Sequence, residues 1–237
     1  MKHRPLVAMV SALMLTLCAC ASDGSADAEV KPLDAAASAA AMERFSAFKD
    51  ELKSLRSYHA TGTVAADDGT QQTDFIFDRE KSAFKGEASI DSGSLDLSID
   101  LVRASGLLWI KGPKEYWESF GYDATPALGK YVVFQAAQGD QITKTYDYDR
   151  LVTTVETLSD GEVRVEGEVD SGGAESIRYT LGDKDQSPLL DLPTEGEITT
   201  ATLVSRAGDV DATIVIDDFG VTADIAAPDP EDVTQPQ

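Results

Sequence analysis

Residues 73–101 read TDFIFDREKSAFKGEASIDSGSLDLSIDL, and this stretch decides the fold. Apolar side chains fall at every second position in three successive runs, which are Phe75 and Phe77, then Phe84, Ala88 and Ile90, then Leu97, Ile99 and Leu101. A period of two is typical of a β-strand, whose side chains alternate between the two faces of a sheet. Short polar stretches such as Asp91-Ser92-Gly93 separate the runs. The pattern therefore predicts consecutive antiparallel strands joined by tight turns.

The same alternation continues on both sides of this stretch. Further strands are predicted at residues 58–64, 107–111, 131–135, 162–169, 176–181, 197–204 and 211–216. Since these runs alternate and are not apolar throughout, one face of the sheet should be buried and the other should face solvent.

Two segments have the period of a helix. Apolar residues recur at intervals of three and four from Met42 to Leu55, and a second stripe runs from Tyr148 to Leu158. A one-faced sheet needs a cover, which amphipathic helices can provide. We predict an α+β fold with a single curved antiparallel β-sheet, a half-open barrel covered by two or more helices.

The first residues have the layout of a secretory signal. Lys2 and Arg4 precede the apolar stretch 6–17, which is too short to span a bilayer. Leu17-Cys18-Ala19-Cys20 matches a lipobox, the motif that a lipoprotein signal peptidase cuts before a cysteine. Residues 1–19 are thus predicted to be a signal peptide, and Cys20 is predicted to carry lipid, a diacylglyceryl group with palmitate.

Two alternatives remain at this end of the chain. Cys18 could compete for lipidation, but Leu17 precedes it, whereas the motif requires the small residue that Ala19 supplies to Cys20. The segment could also be an ordinary secretory signal or a signal anchor. The lipobox favours a protein anchored to the cell membrane by lipid and facing outside the cytoplasm.

Composition divides the remainder into three parts. Residues 20–41 are small and acidic and are predicted to be a flexible tether, residues 42–226 form the folded domain, and the proline-rich residues 227–237 form a disordered tail. Removing residues 1–19 leaves 18 basic against 42 acidic residues, a formal charge of −24. Such a surface repels phosphate backbones, so no nucleic-acid partner is expected. A monomer is expected.

No catalytic, metal or cofactor site is predicted. The sequence has no Gly-x-Ser-x-Gly elbow, P-loop or dinucleotide fingerprint. His59 is the one histidine after residue 19 and is expected to face solvent. A Ser-His-Asp triad would have to use this residue, and a zinc site would have only this one histidine as a ligand. An acid pair of the glycosidase kind remains open because carboxylates are numerous. We do not expect an enzyme.

Apolar residues form the candidate ligand site. The set comprises Phe75, Phe77, Phe84, Leu97, Ile99, Leu101, Trp109 and Trp117. Inward-facing side chains of a half-open barrel could line an apolar cavity, which is what an acyl chain requires. They could equally pack against the two helices as a filled core. Tyr116 and Trp117 are expected on a loop, where they either contact a ligand or plug the sheet edge.

Several motifs in this order resemble a known family. The lipobox, LKSLRSYHATGTV at 52–64, FIFDREKSAFKGEASI at 75–90, LDLSIDLVRASGLLWIKGPKEYW at 95–117 and DDFGVTADIAAP at 217–228 together resemble the LppX/LprG family of actinobacterial cell-envelope lipoproteins. The resemblance implies a LolA-like fold that holds acyl chains. It implies a membrane-anchored protein that binds or carries a lipid or lipoglycan; the alternative is an anchored protein-interaction or envelope-sensing module without a lipid ligand.

Overall fold

The computed structural model describes residues 29–66, 69–93, 96–143, 148–171, 173–182, 187–207 and 210–235. Four α-helices lie in these ranges: α1 (Ala35–Ser54), α2 (Lys114–Ser119), α3 (Ala136–Thr143) and α4 (Tyr148–Thr157). The predicted signal peptide, Cys20 and the first part of the predicted tether lie outside the described residues.

Twelve strands of the described chain form one sheet. They are β1 (Ser57–Ala66), β2 (Gly69–Asp78), β3 (Ala83–Asp91), β4 (Asp96–Ala104), β5 (Leu107–Lys111), β6 (Tyr131–Phe134), β7 (Val163–Ser171), β8 (Ala174–Leu181), β9 (Leu189–Pro193), β10 (Ala201–Ala207), β11 (Val210–Asp217) and β12 (Val233–Thr234). Their order is β12-β6-β5-β4-β3-β2-β1-β11-β10-β9-β8-β7, and the sheet is curved and unclosed. The predicted single curved antiparallel sheet is confirmed, apart from the parallel pairing of β12 with β6.

The sheet consists of two meanders joined in the middle. Strands β1–β6 pair in sequence order, and so do strands β7–β11. Strand β1 pairs with β11, with His59 opposite Asp217 and Thr63 opposite Thr213. Helix α2 lies in the connection between β5 and β6, within the first meander, whereas α3 and α4 lie between β6 and β7, in the connection from the first meander to the second.

Alternation along the strands separates two faces. In β4, Leu97, Ile99 and Leu101 are buried on one face, while Ser98 and Asp100 point the other way. We call the first the helix face, because residues of α1 and α4 belong to the same buried cluster as its side chains. The opposite side is called the open face.

Helix α1 begins earlier than predicted. Asp34 caps it by accepting a hydrogen bond from the amide of Ala37, and Ala41 is already buried. The alanine-rich end of the segment predicted as a tether, 20–41, is therefore part of this helix. The cause is the alanine run at 35–37, since alanine has the highest helix propensity and small side chains permit close packing. Before the helix, Lys31 forms an isolated β-bridge with Glu168 of β7, an edge strand of the sheet.

Two short elements lie in the segment 227–237 that was predicted to be a disordered tail. Residues 230–232 form a 3-10 turn, and Val233 and Thr234 add strand β12 beside β6. Ile225, just before this tail, is buried on the open face. Three prolines suggested an irregular end, but an edge strand tolerates proline nearby because its outer amides need no partner.

Short elements account for the remaining differences. Helix α4 lies where the second amphipathic stripe predicted it. By contrast, α2 occupies a segment predicted to be a loop, and β9 lies between the predicted strands 176–181 and 197–204, where no strand was predicted. Strand β10 begins at Ala201, four residues later than predicted. Elements of five or six residues contain too few positions for a period to be recognised.

Candidate functional site

Seven of the eight predicted ligand-site residues lie together in the main buried cluster. They are Phe75, Phe77, Phe84, Leu97, Ile99, Leu101 and Trp117, and none is more than 5% exposed. The alternation of β2, β3 and β4 carries the first six to the helix face. The sequence pattern thus identified a contiguous apolar surface.

The placement of Trp109 with this set is wrong. Trp109 lies on the open face, where it packs with Ala83, Val102, Ala104 and Ile225. The register explains the position, because Trp109 is opposite Val102, whereas Ile110 is opposite the inward-facing Leu101. Residues 107–110 are all apolar, so alternation alone could not tell which of them point inward.

Aromatic rings form the centre of the helix face. The rings of Tyr58 and Phe77 stack with centroids 4.8 Å apart, and Phe75 meets Phe84 edge-on at 5.3 Å. Tyr148, the first residue of α4, lies over them with its centroid 5.9 Å from that of Phe77. Offset and edge-on rings at these distances add attraction beyond the area that they bury.

Side chains of two helices belong to the same buried cluster as this face. Phe45, Phe48 and Leu52 of α1 are at most 1% exposed, and Val152 and Val155 of α4 are also buried. The sequence left open whether the interior is a cavity or a filled core. In the described structure these five side chains and the strand residues beneath them form one packed cluster.

A glycine of β1 makes room for the start of α4. The Tyr148 hydroxyl hydrogen-bonds the Thr73 hydroxyl at 2.5 Å, with both groups buried. A Cβ atom at Gly62 would come within 2.2 Å of that Tyr148 oxygen and 2.6 Å of the Thr73 oxygen. Burial raises the pKa of Tyr148, and the Thr73 hydrogen bond offsets this only in part. Tyr148 is therefore a neutral phenol at physiological pH.

Arg79, in the turn after β2, joins both helices to the sheet. Its guanidinium donates to Asp149 at 2.7 Å and lies 2.8 Å from Glu156, both on α4. It also donates to the carbonyl of Leu52 at 2.7 Å, at the end of α1. A cation near the C-terminus of a helix is also favoured by the helix dipole. This one side chain therefore links α1 and α4 to the turn after β2.

Trp117 packs against the sheet at its β5–β6 side. Its indole N–H donates to the carbonyl of Gly112 at 3.1 Å, and its ring stacks on Phe134 with centroids 6.5 Å apart. Tyr116 meets the same indole edge-on at 5.0 Å. The hollow beside Trp117 measures only about 20 Å³, room for about one water molecule. Both members of this pair are thus packed among aromatic side chains in the described structure.

His59 is more constrained than its expected solvent-facing position suggests. Its Nδ1 lies 2.6 Å from an oxygen of Asp217 and its Nε2 lies 2.9 Å from an oxygen of Asp74. Burial lowers the pKa of His59, but the two carboxylates outweigh that effect and raise it above the ordinary 6.5. His59 bridges β11 and β2 as a cation when protonated.

The same histidine belongs to the one potential metal-ligand group among the described residues. Its members are His59, Asp217 and Asp218, whose ligand atoms lie within 4.8 Å of one another. A histidine binds a metal through a neutral ring nitrogen. Both nitrogens of His59 already face carboxylates, and its raised pKa favours the protonated form. This arrangement fits an ion triad better than a metal centre.

A groove of about 850 Å³ lies on the open face. Its floor is formed by β1–β4, and its lining is largely polar: Thr61, Thr63, Gln72, Asp74, Lys85, Glu87, Ser89 and Asp100. This groove could not be identified from the sequence, because no single strand contains it. None of the helices in the described ranges could span a membrane.

Comparisons with known proteins give a structural match and no sequence match. No protein-family model matches the chain, and no curated protein is similar enough in sequence to be counted as a relative. Among solved structures, LprF from Mycobacterium bovis superposes with a TM-score of 0.53 at 13% identity, over 81% of this chain and 98% of LprF. The lipoprotein LppX from Mycobacterium tuberculosis gives 0.46 at 11% identity, over 82% and 100% of the two chains. An uncharacterised conserved protein from Thermus thermophilus gives 0.39 at 11% identity, over 82% and 99%.

These findings define a class of architecture. The described residues form one curved, unclosed, mostly antiparallel sheet whose helix face shares a buried cluster with residues of α1 and α4. It has the fold of LprF, a protein of the LppX/LprG type. The resemblance found in the sequence motifs is therefore confirmed at the level of the fold.

Proposed function

We propose that this chain is an extracytoplasmic lipoprotein of the LppX/LprG type, anchored to the cell membrane through Cys20, that binds the acyl chain of a lipid or lipoglycan. The binding surface is the helix face of the sheet, at the position that α4 occupies. No chemical reaction is assigned to it. The lipobox supports the anchor, and the fold shared with LprF supports the acyl-binding role.

One observation carries the proposal. The helix face is apolar from Leu192 on β9 to Phe134 on β6, and separate helices pack on it. A helix attached at its two ends can shift as a unit, whereas a second sheet would have to break its hydrogen-bonded strands. Helix α4 has ten residues and sits over the aromatic centre formed by Phe75 and Phe77.

The free energy of burial can be compared for an acyl chain and for the α4 side chains that it would replace. Tyr148, Val152 and Val155 together gain roughly 6 kcal/mol from burial, at about 2 kcal/mol each. An acyl chain of about sixteen carbons gains about 0.8 kcal/mol for each buried methylene, or roughly 12 kcal/mol relative to water. The difference exceeds the roughly 1 kcal/mol of the Thr73–Tyr148 hydrogen bond. The apolar burial of an acyl chain therefore exceeds that of the three side chains it would replace, before the Arg79 ion pairs of α4 and the cost of association are counted.

Lipid extraction tests the proposal directly. The full chain is produced in a lipoprotein-processing bacterium and purified, and non-covalent lipids are extracted with organic solvent and identified by mass spectrometry. The covalent acyl groups remain on the polypeptide and are measured separately. We expect roughly one non-covalent acyl lipid per chain. Protein that retains less than a tenth of that amount, from a host shown to supply acyl lipids, contradicts the proposal.

A second candidate function is an anchored protein-interaction or envelope-sensing module. Two observations favour it, the filled helix face and the large polar groove on the open face. Under this function no lipid would be extracted, and a partner would bind on the side opposite α4. The two candidates use opposite faces of the sheet, so they are tested by separate variants.

A further inference from the structure

The groove on the open face is formed by regular strands of the sheet. It has a volume of about 850 Å³, near the upper end of the range for ligand pockets. Hydroxyl and amide side chains, Thr61, Thr63 and Gln72, line its β1–β2 side, and the Tyr131 ring lines its other end. Groups that both donate and accept hydrogen bonds suit a ligand with a peptide backbone.

Three carboxylates cross the floor of the groove in one row. Asp74 on β2 is directly opposite Glu87 on β3, which is directly opposite Asp100 on β4. Neighbouring strands are about 4.8 Å apart, and like charges directly opposite each other destabilise a sheet. The row therefore brings like charges side by side, and a cationic ligand between them would reduce their repulsion.

The chain itself neutralises only the ends of the row. His59 contacts Asp74 at 2.9 Å, and the Lys111 ammonium lies 3.7 Å from Asp100. In the middle, Glu87 accepts a hydrogen bond from the neutral hydroxyl of Ser98 at 2.5 Å. Lys85 is the one lysine or arginine among the residues that line the groove.

The spacing favours a polypeptide over a single metal ion. The three carboxylates span about 10 Å across two strand intervals, and they do not form a group tight enough to share an ion. In an extended chain, residues i and i+2 point to the same side about 7 Å apart. Two lysine or arginine side chains at that spacing can each reach between neighbouring carboxylates, and arginine can bind them through paired hydrogen bonds.

We infer that this groove binds an extended segment of a partner protein with basic residues at alternating positions. The segment lies across β2–β4, its cationic side chains face Asp74, Glu87 and Asp100, and the hydroxyl groups of β1 contact its backbone. The inference is independent of acyl binding on the opposite face. A formal charge of −24 on residues 20–237 also steers a basic segment toward this surface.

Fluorescence anisotropy tests the inference with the full chain carrying Cys20→Ala. The probe is a labelled peptide of alternating arginine and threonine, and a peptide of alternating glutamate and threonine is the comparison. The double variant Glu87→Gln/Asp100→Asn removes two charges from the row. The double variant Glu43→Gln/Glu51→Gln removes two charges from the exposed side of α1 and gives the same net charge.

We expect the basic peptide to bind, the acidic one not to bind, and affinity to fall with added salt. The groove variant should weaken binding at least fivefold, and the α1 variant less than twofold. Equal weakening by both variants would show attraction to net charge alone and would overturn the inference, as would no binding at millimolar peptide. The groove variant should retain any bound acyl lipid, so failure of the lipid proposal remains distinguishable from failure of this one.

Discussion

The hydroxyl of Tyr148 on α4 lies directly above Gly62 of β1, where a Cβ atom would come within 2.2 Å of it. Helix α4 can thus begin over the aromatic centre of the sheet only because the strand beneath lacks a side chain at this point. The two residues are 86 positions apart in the chain. The position of α4 is therefore sensitive to a single methyl group.

Adding that methyl group should displace α4. Gly62→Ala forces the Tyr148 hydroxyl away and breaks its hydrogen bond to Thr73, so we expect the free energy of unfolding to fall by about 1–3 kcal/mol. Gly161→Ala is the matched control, because a Cβ atom there meets nothing within 4 Å. Urea unfolding followed by tryptophan fluorescence measures both. A Gly62→Ala protein as stable as the Gly161→Ala control would show that α4 does not depend on this contact.

Arg79 should contribute much more to stability than a surface arginine. Its side chain is 16% exposed, and removing it leaves Glu156, which is 15% exposed, without its cation. We expect Arg79→Ala to cost about 2–4 kcal/mol of unfolding free energy. Arg56→Ala is the control, since the Arg56–Glu80 pair is solvent-exposed and should cost less than about 1 kcal/mol. Similar losses in the two variants would contradict the role of Arg79 in holding both helices.

The His59 ion triad should stabilise the fold more at low pH than at high pH. The pKa of His59 is higher in the folded protein than its ordinary 6.5. Its contribution is therefore complete below about pH 6.5 and is lost as the pH rises through the folded-state pKa. We expect the difference in unfolding free energy between the wild type and His59→Gln to be larger at about pH 5.5 than at about pH 8.5. A difference that is the same at both values would mean that His59 gains nothing from Asp74 and Asp217.

Lipidation is predicted at Cys20 and not at Cys18. Cys20→Ala should release the protein from the membrane fraction or block its processing, whereas Cys18→Ala should leave both unchanged. Detergent phase partition with immunoblotting measures the first property, and the mass of the purified chain measures the second. Membrane retention of a processed Cys20→Ala protein at the wild-type level would contradict the anchor.

The sequence predicts strands well where polar and apolar residues alternate. In β2 and β4 each strand carries a clear period of two, and both the strand and its buried face follow from it. In β5 the run Leu107-Leu108-Trp109-Ile110 has no polar position, so the face of Trp109 depends on its register with β4. Periodicity within one strand contains no information about register between strands.

Interactions between distant residues could not be predicted from one sequence. Arg79 meets Asp149 across 70 positions. Arg178 on β8 and Asp191 on β9 form a buried two-bond ion pair, with both bonds 2.8 Å long. Each residue alone looks like any other charged residue in an acidic chain. The carboxylate row of the groove is hidden for the same reason, since its members become neighbours only when β2, β3 and β4 pair.

The central claim is that an acyl chain binds to the helix face in place of α4. A titration with a fluorescent fatty acid tests this claim. Val152→Ala weakens the packing of α4 on the helix face, and Trp109→Ala makes a larger truncation on the open face. If the acyl chain takes the place of α4, Val152→Ala should bind the probe at least threefold more tightly than the wild type, and Trp109→Ala should bind it as the wild type does. Absence of probe binding in all three proteins, or a change of affinity with Trp109→Ala alone, would contradict the account.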